Sequence, residues 1–457
     1  MTENDKLLLE AQQASERKDT MRALTASDEL LRRDPANVDA MFIAGTAFMT
    51  NGHEGVASIL LNAARCATKD PIKLGPIWNN LGYAMQEYQP AEGYRCFKES
   101  LKYGAAPGFT YDNLCSVSHK LGKHEEALQW ASQAVNVDTA YNRAFPLLSL
   151  GRWREGWEAY SKSAGTSLRP KTERDYGLPR WDGKSEGRVI VHGEQGVGDE
   201  IMFMSMLPSN FDGVIECNPR TAELFARSFP GAKVYGTLLN NFIEWPFEEL
   251  ADWHLEMGGL GEFFGQEPFR RSSFLVADHA RCAGWDAWLG AMAPRGLRVG
   301  IAWTGGTWST GRQQRSIPFE TIAGLIKAHP DITFVNLEYE DRKAELKDFP
   351  QVLNPYWATK KGADLDDLAA LVSSLDLVIT ATNSTVDLCG ALGVPCWALV
   401  DAHPQWRYST AAGDGEMWFY NSVRTFRQQS GDSGTWNRVI GSVNRALHGF
   451  KIAEKAA

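Results

Sequence analysis

Apolar residues fall at two different spacings along this chain. From residue 5 to about 165, small and apolar side chains recur at helical intervals in paired blocks, which predicts a series of helical hairpins. Residues 161–187 are polar and rich in Gly, Pro and charge, the composition of a linker. From residue 188 the period changes, and short β-branched runs alternate with helical stretches. Strands are predicted at 188–192, 213–217, 232–236 and 253–257, with helices from 199, at 219–228 and around 279–292. Pro294-Arg295-Gly296 then punctuates the chain before a second series. Its strands are predicted at 298–303, 333–338, 377–381 and 395–400, and its helices near 318–328, near 365–374 and from 384. A last helix spans 435–448, with Val439, Ile440, Val443 and Leu447 on one face. The domains so drawn are a helical region 1–165, a linker 166–187, and two βα domains at 188–293 and 294–457. Two consecutive βα domains imply two sheets facing across a cleft.

The helical blocks repeat. Ala11, Ala23, Ser27, Leu30 and Pro35 set a pattern; Gly45, Phe48, Ala57, Leu61 and Ala64, followed by Asp70-Pro71, set it again. Trp78, Leu81, Gly82, Gly93, Phe97 and Ser100 form a third copy, and Leu114, Gly122, Ala127, Ala131 and Ala134 a fourth. The stretch from Phe145 to Tyr160, with Leu147, Leu148, Leu150, Trp153 and Trp157, reads as a capping pair. Small residues at helix crossings and a spacing near ~34 residues resemble tetratricopeptide repeats. Such a stack curves around a concave groove, which serves either as a partner site or as a spacer.

Charge and cysteine content narrow the partners. A formal charge of -9 argues against nucleic acid and anionic membranes as general partners. The seven cysteines form no C-x-x-C pair and no ligand spacing with histidine, so reduced thiols and no metal site are expected. The first residues are polar and acidic, unlike a signal peptide, and the apolar runs are too short to span a membrane, so a cytoplasmic protein is expected.

The chemistry concentrates at Arg188 to Phe203, where an apolar strand stops at Gly193-Glu194-Gln195-Gly196-Val197-Gly198 and a helix follows. The glycine order, G-x-x-G-x-G, differs from the dinucleotide fingerprint G-x-G-x-x-G. Asp199 and Glu200 would also repel a phosphate from the helix N-terminus they open. A carboxylate on a tight turn suits proton abstraction from a substrate hydroxyl; the alternative is that Asp199 is only a helix cap. His192 is a second candidate base, though its strand position favours a packed or hydrogen-bonded role.

Further stretches carry a resemblance: Val299-Gly300-Ile301-Ala302-Trp303 with Arg315-Ser316-Ile317-Pro318, Asp364 to Leu371, Leu375 to Thr380, Gly390 to Pro395, Trp406-Arg407 and Phe426-Arg427-Gln428. With the glycine-rich turn, they make the chain similar to GT-B glycosyltransferases of the ADP-heptose lipopolysaccharide heptosyltransferase family, in the variant with tetratricopeptide repeats ahead of the catalytic part. The fold class implied is an all-α solenoid followed by two Rossmann-like domains, the first for an acceptor and the second for a nucleotide-sugar. By the same resemblance Asp199 is the base, with Glu194, Gln195 and Gly198 on the acceptor loop. Trp303, Thr304, Gly305, Arg312 and Arg315, together with Asn383, Ser384 and Thr385, lie where a donor diphosphate meets cations and a helix N-terminus. Relatives usually show Asp-Thr and then His where this chain has Thr382-Asn383 and Asp387. Asp364-Leu365-Asp366 spells a metal-binding Asp-x-Asp but reads as the acidic first turn of a helix.

The expected activity is glycosyl transfer from a nucleotide-sugar co-substrate to an acceptor hydroxyl, with no metal and no further cofactor. The first expected acceptor is a protein or peptide recruited by the repeats; a saccharide, a lipid or a modified DNA base are alternatives. A catalytically inactive scaffold is the rival from another class, and a nicotinamide enzyme is a third reading.

Overall fold

The computed structural model describes residues 1–104, 107–134, 139–164, 176–238, 243–247, 250–266, 273–292, 296–306, 311–409, 411, 413, 415–429 and 435–456. Residues 166–175, the first part of the expected linker, lie outside the described residues, as do Pro294 and Arg295 at the expected boundary between the βα domains. The chain forms two compact units, Met1–Pro146 and Leu147–Ala457.

The first unit is a run of helical hairpins: α1 (Glu3–Glu16), α2 (Thr20–Arg33), α3 (Val38–Thr50), α4 (Glu54–Ala67), α5 (Pro71–Met85), α6 (Pro90–Lys102), α7 (Pro107–Lys120) and α8 (His124–Ala131). Short polar side chains start several of them: Asp19, Asn37 and Asp70 each accept an N–H from the first turn of the helix that follows. The positions singled out by the repeat are the ones that pack, with Ala11, Leu30, Ala57, Leu61, Phe97, Leu114 and Ala127 fully buried. The core is a chain of local clusters rather than one centre: Ala11, Ala23 and Ile43 form one, Leu61, Leu81 and Cys96 another, Phe97 and Leu114 a third. Polar contacts follow the same period. Lys73 reaches Asp39, Asn80 reaches Thr46, Tyr88 reaches Glu54 and Asn113 reaches Asn79, each across 34 residues. The repeat is a tetratricopeptide-like solenoid in which each hairpin packs on its neighbours.

Helix α9 (Thr139–Ser149) leads into the second unit, where α10 (Trp153–Lys162) packs against Met257–Gly259 and α13 (Leu260–Phe264). Two parallel sheets follow. The first has the order β3-β2-β1-β4, from β1 (Val189–His192), β2 (Val214–Cys217), β3 (Lys233–Gly236) and β4 (Trp253–Glu256), with α11 (Val197–Met204) and α12 (Pro219–Ser228) after β1 and β2. The helix expected from 199 thus begins two residues earlier, placing Asp199 inside its first turn. Helix α14 (His279–Met292) leads to the second sheet, of order β10-β9-β8-β5-β6-β7. Its strands are β5 (Arg298–Ala302), β6 (Thr333–Asn336), β7 (Val352–Leu353), β8 (Leu377–Ala381), β9 (Cys396–Val400) and β10 (Val423–Arg427). The helices between them are α15 (Arg312–Arg315), α16 (Phe319–Ala328), α17 (Lys343–Leu346), α18 (Tyr356–Thr359), α19 (Leu365–Ser373) and α20 (Ser384–Leu392), and α21 (Asn437–Ala456) closes the chain. Strands β7 and β10 add to the four expected in this sheet.

Near-continuous burial of β1, β2, β8 and β9 is what strands covered on both faces require. Each sheet changes winding direction between two adjacent strands, β1 and β4 in the first and β5 and β8 in the second. Such switch points open a crevice at the carboxyl ends of the strands. The two layers are joined by α19, whose acidic first turn receives Arg227 from α12 and Arg281 from α14 on Asp366 and Asp364, while Trp285 Nε1 donates to Asp367 at 2.9 Å. The Asp-x-Asp sequence therefore has a structural use between the two layers. Among the described residues no helix is long and apolar enough to cross a membrane.

Candidate active site

The glycine-rich turn leaves β1 at the first switch point and is fixed from below by a carboxylate. Glu200, buried, accepts the Asn218 N–H on both oxygens (3.0 and 3.2 Å) and the Thr221 hydroxyl at 3.1 Å, which ties α11 to the start of α12. A side chain at Gly193 would run into Glu200. Glu194 accepts the Gly258 N–H at 2.8 Å, so this acceptor-loop candidate holds the loop to the segment after β4. Gln195 is half-buried. Asp199 accepts the Gly196 N–H at 3.2 Å on one oxygen, as a cap would, and the Arg407 guanidinium on the other.

Arg407 comes from the second sheet's side, on a short turn at Trp406–Tyr408 after β9. Its guanidinium also lies 3.6 Å from Asp387 of α20. Helices α11 and α20 approach so closely that a Cβ on Gly198 would sit 3.2 Å from Ser384 Cα and 3.1 Å from Asp387 Oδ2, so glycine is what lets the two N-termini meet. Asp387 is buried, and Tyr420 donates to it at 3.4 Å. Burial pushes its carboxyl up to about 7 against the pull of Arg407, with the Asp199 charge adding to the rise. Arg407 is held firmly charged: its two carboxylate neighbours outweigh its burial.

The donor-side candidates form the adjoining wall, at the second switch point. Thr304 and Trp303 donate their N–H groups to buried Glu338 at 2.7 and 2.6 Å, and the Thr304 hydroxyl is shared between Glu338 and Arg342. The Trp303 ring lies in the core beside Phe319 rather than at a surface. Gly305 packs against Arg315, whose buried guanidinium donates to the Thr382 carbonyl at 3.0 Å. Asn383 caps α20 through the Thr385 N–H at 2.9 Å and donates to the Thr304 carbonyl at 3.0 Å, joining the two strand ends. Arg312 reaches Glu340 at 2.7 Å. The fold thus gathers Gly198, Asp199, Ser384, Asp387 and Arg407 at one point, with Thr304, Gly305, Arg315 and Asn383 beside it. Glu338 was not among the residues singled out from sequence, and Glu200 was read only as an acid opening the helix. Trp406-Arg407 was visible as a motif, but its approach to Asp199 was not.

An aromatic group backs this point. Trp157 of α10 lies edge-on to Trp406 (5.4 Å) and near Phe203 of α11 (6.2 Å), so α10 touches both layers behind the Asp199–Arg407 pair.

No protein-family model matches the chain. Protein FlbA of Caulobacter vibrioides is 32% identical to it, over 91% of this chain and 74% of FlbA. The chain belongs to the FlbA family. Among solved structures, this FlbA-family chain is similar to ADP-heptose lipopolysaccharide heptosyltransferase II of E. coli, at 13% identity over 59% of this chain and 100% of that one, with a TM-score of 0.40. It is also similar to a mutant O-GlcNAc transferase of Thermobaculum terrenum, at 15% identity over 87% and 83% of the two chains and a TM-score of 0.35. A tetratricopeptide-repeat protein of Thermus thermophilus matches 36% of this chain and 93% of its own at 17% identity, with a TM-score of 0.31.

Proposed function

We propose that this chain transfers a glycosyl group from a nucleotide-sugar to an acceptor hydroxyl, with Asp199 as the base. The observation that carries the reading is the meeting of Asp199, from the carboxyl edge of one parallel sheet, with Arg407 and the N-terminus of α20, from the carboxyl edge of the other. A carboxylate and a cation on opposite walls match the two charge changes of such a reaction. The acceptor oxygen attacks the anomeric carbon and gives its proton to Asp199. The bond from that carbon to the diphosphate breaks, and the electron pair leaves with the diphosphate. Its growing charge is met by Arg407, by Arg315 and by the N–H groups opening α20. Two buried polar atoms on this wall, Arg407 Nε and Thr382 Oγ1, have no hydrogen-bond partner among the described residues, which suits a site built for a polar ligand.

In this arrangement Arg407 is engaged by Asp199. A diphosphate arriving on the guanidinium takes the place of the carboxylate and frees it to act as base. Protonation of Asp387 helps by leaving more of the Arg407 charge for the diphosphate. The transfer step so drawn uses no metal and no cofactor beyond the nucleotide-sugar.

The repeats would recruit a protein or peptide acceptor. Thr46, Asn79, Asn80, Thr110 and Asn113 lie along successive first helices of the hairpins and bond to one another. A row of carboxamides offers both donors and acceptors to the backbone of an extended segment. A scaffold without turnover is the second reading, favoured by Asp387 standing where relatives carry His and by the pairing of Asp199 with Arg407.

The test is a thermal-shift screen against UDP-, GDP-, ADP-, CMP- and dTDP-sugars, followed by turnover of the donor that binds. Asp199→Asn is expected to leave donor binding intact and lower turnover roughly 10²–10⁴-fold. Full turnover in that variant would remove Asp199 from the mechanism; donor binding without any turnover in the wild type would favour the scaffold.

A further inference from the structure

The first sheet's switch point carries a second cluster of chemistry, on strand ends rather than on the loop. The β1–β4 register pairs His192 with Glu256 and Ile190 with His254. Side chains alternate faces along a strand, so His192, His254 and Glu256 all project to one side. One ligand atom from each lies within 4.8 Å of the others. His192 Nε2 faces His254 Nδ1 at 3.3 Å.

We propose that His192, His254 and Glu256 bind a divalent transition-metal ion, with zinc the best fit. Two imidazole nitrogens on one tetrahedral zinc, at bonds of about 2.0–2.1 Å, stand about 3.3 Å apart, which is the separation here. Two imidazoles and a carboxylate are donors that suit zinc, cobalt or nickel, whereas magnesium and calcium call for oxygen alone. The surroundings hold the ligands in place. Arg180 Nε donates to Glu256 Oε2 at 3.1 Å, which orients the carboxylate as outer partners of metal ligands do. The Tyr176 ring lies 5.4 Å from His192 and 5.7 Å from His254, and its hydroxyl is fixed on Glu216 of β2. The ion would pin β4 to β1 directly below Gly193, where the loop bearing Asp199 begins. Its role is positional, and it takes no part in the transfer step. The site stands independently of the glycosyl-transfer reading.

Full-length, tag-free protein is stripped with a chelator, dialysed, and titrated with zinc by calorimetry and with cobalt by visible absorption. One ion per chain is expected, with a tetrahedral cobalt spectrum lacking a thiolate charge-transfer band. His254→Gln should weaken zinc binding at least about 100-fold and Glu256→Gln at least about 10-fold, each with an unchanged far-ultraviolet circular dichroism spectrum. The Glu256 variant, at a partly exposed position, keeps the test open should the histidine variant misfold. Absence of zinc binding at micromolar concentrations, a thiolate band placing the ion on cysteine, or unchanged affinity in both variants overturns the site.

Discussion

Asp387 sits between two opposing demands. Its burial disfavours the carboxylate, Arg407 favours it, and burial prevails, leaving the group near 7. A carboxyl raised in the folded state holds its proton more tightly there than in the unfolded chain. Its contribution to stability is therefore fully present below about pH 4 and lost as the pH rises through about 7. Asp387→Asn removes this dependence. The variant should gain stability relative to the wild type between pH 4 and 8, on the order of 1 kcal/mol or more, in paired denaturant titrations; a constant difference across that range would show that Asp387 titrates normally. At this scale the sequence was legible where chemistry and backbone coincide. Asp199 announced itself because a glycine-rich turn presents it. Arg407 did not, because its meeting with Asp199 spans 208 residues and depends on how two layers face. Glu338 looks like an ordinary surface acid in sequence and Glu200 like an acid opening a helix, yet both are buried hydrogen-bond hubs in the fold. The His192–His254 pair was hidden for the same reason: its two members come from strands paired across 62 residues.

At the level of helices and strands, the hydrophobic period located most elements and misjudged the ends of several, such as α11 and α21. Residues 219–228 and 279–292 match α12 and α14, since Asn218-Pro219 and Asp278 mark clear starts. Strand β7 has only two residues, too few for a period to register, and β10 was noticed as the Phe426-Arg427-Gln428 motif rather than as a strand. The small residues of the repeat can be tested in pairs. A Cβ at Gly93 in α6 would lie 2.9 Å from Gln86 Cα, a backbone atom that cannot swing away, whereas one at Gly55 in α4 meets nothing within 4 Å. Gly93→Ala should therefore destabilise the solenoid by about 1–3 kcal/mol through overpacking. Gly55→Ala should stabilise it by about 0.5–1 kcal/mol, because alanine favours the helix. Similar melting shifts from the two changes would mean that the α5–α6 crossing is not glycine-dependent.

For the molecule as a whole, the change of period near residue 188 was enough to separate a helical solenoid from two βα layers, because the two kinds of segment bury their apolar faces differently. Strand order was beyond its reach, since parallel neighbours are chosen by crossover geometry and not by any residue in the strand. Yet that order sets both switch points, and with them where the candidate site residues gather. The solenoid's ladder of contacts 34 residues apart also has a mechanical meaning. Bonds that join only adjacent hairpins load in series. Stretched between its ends in an optical trap, the chain should yield in small steps of roughly 12 nm as successive repeats of ~34 residues release, at about 3.5 Å per residue. The parallel sheets, sheared along many bonds at once, should give way in a separate and larger event; one single rip of the full length would contradict this. A pull on the solenoid would thus be absorbed hairpin by hairpin, making the repeats a compliant spring.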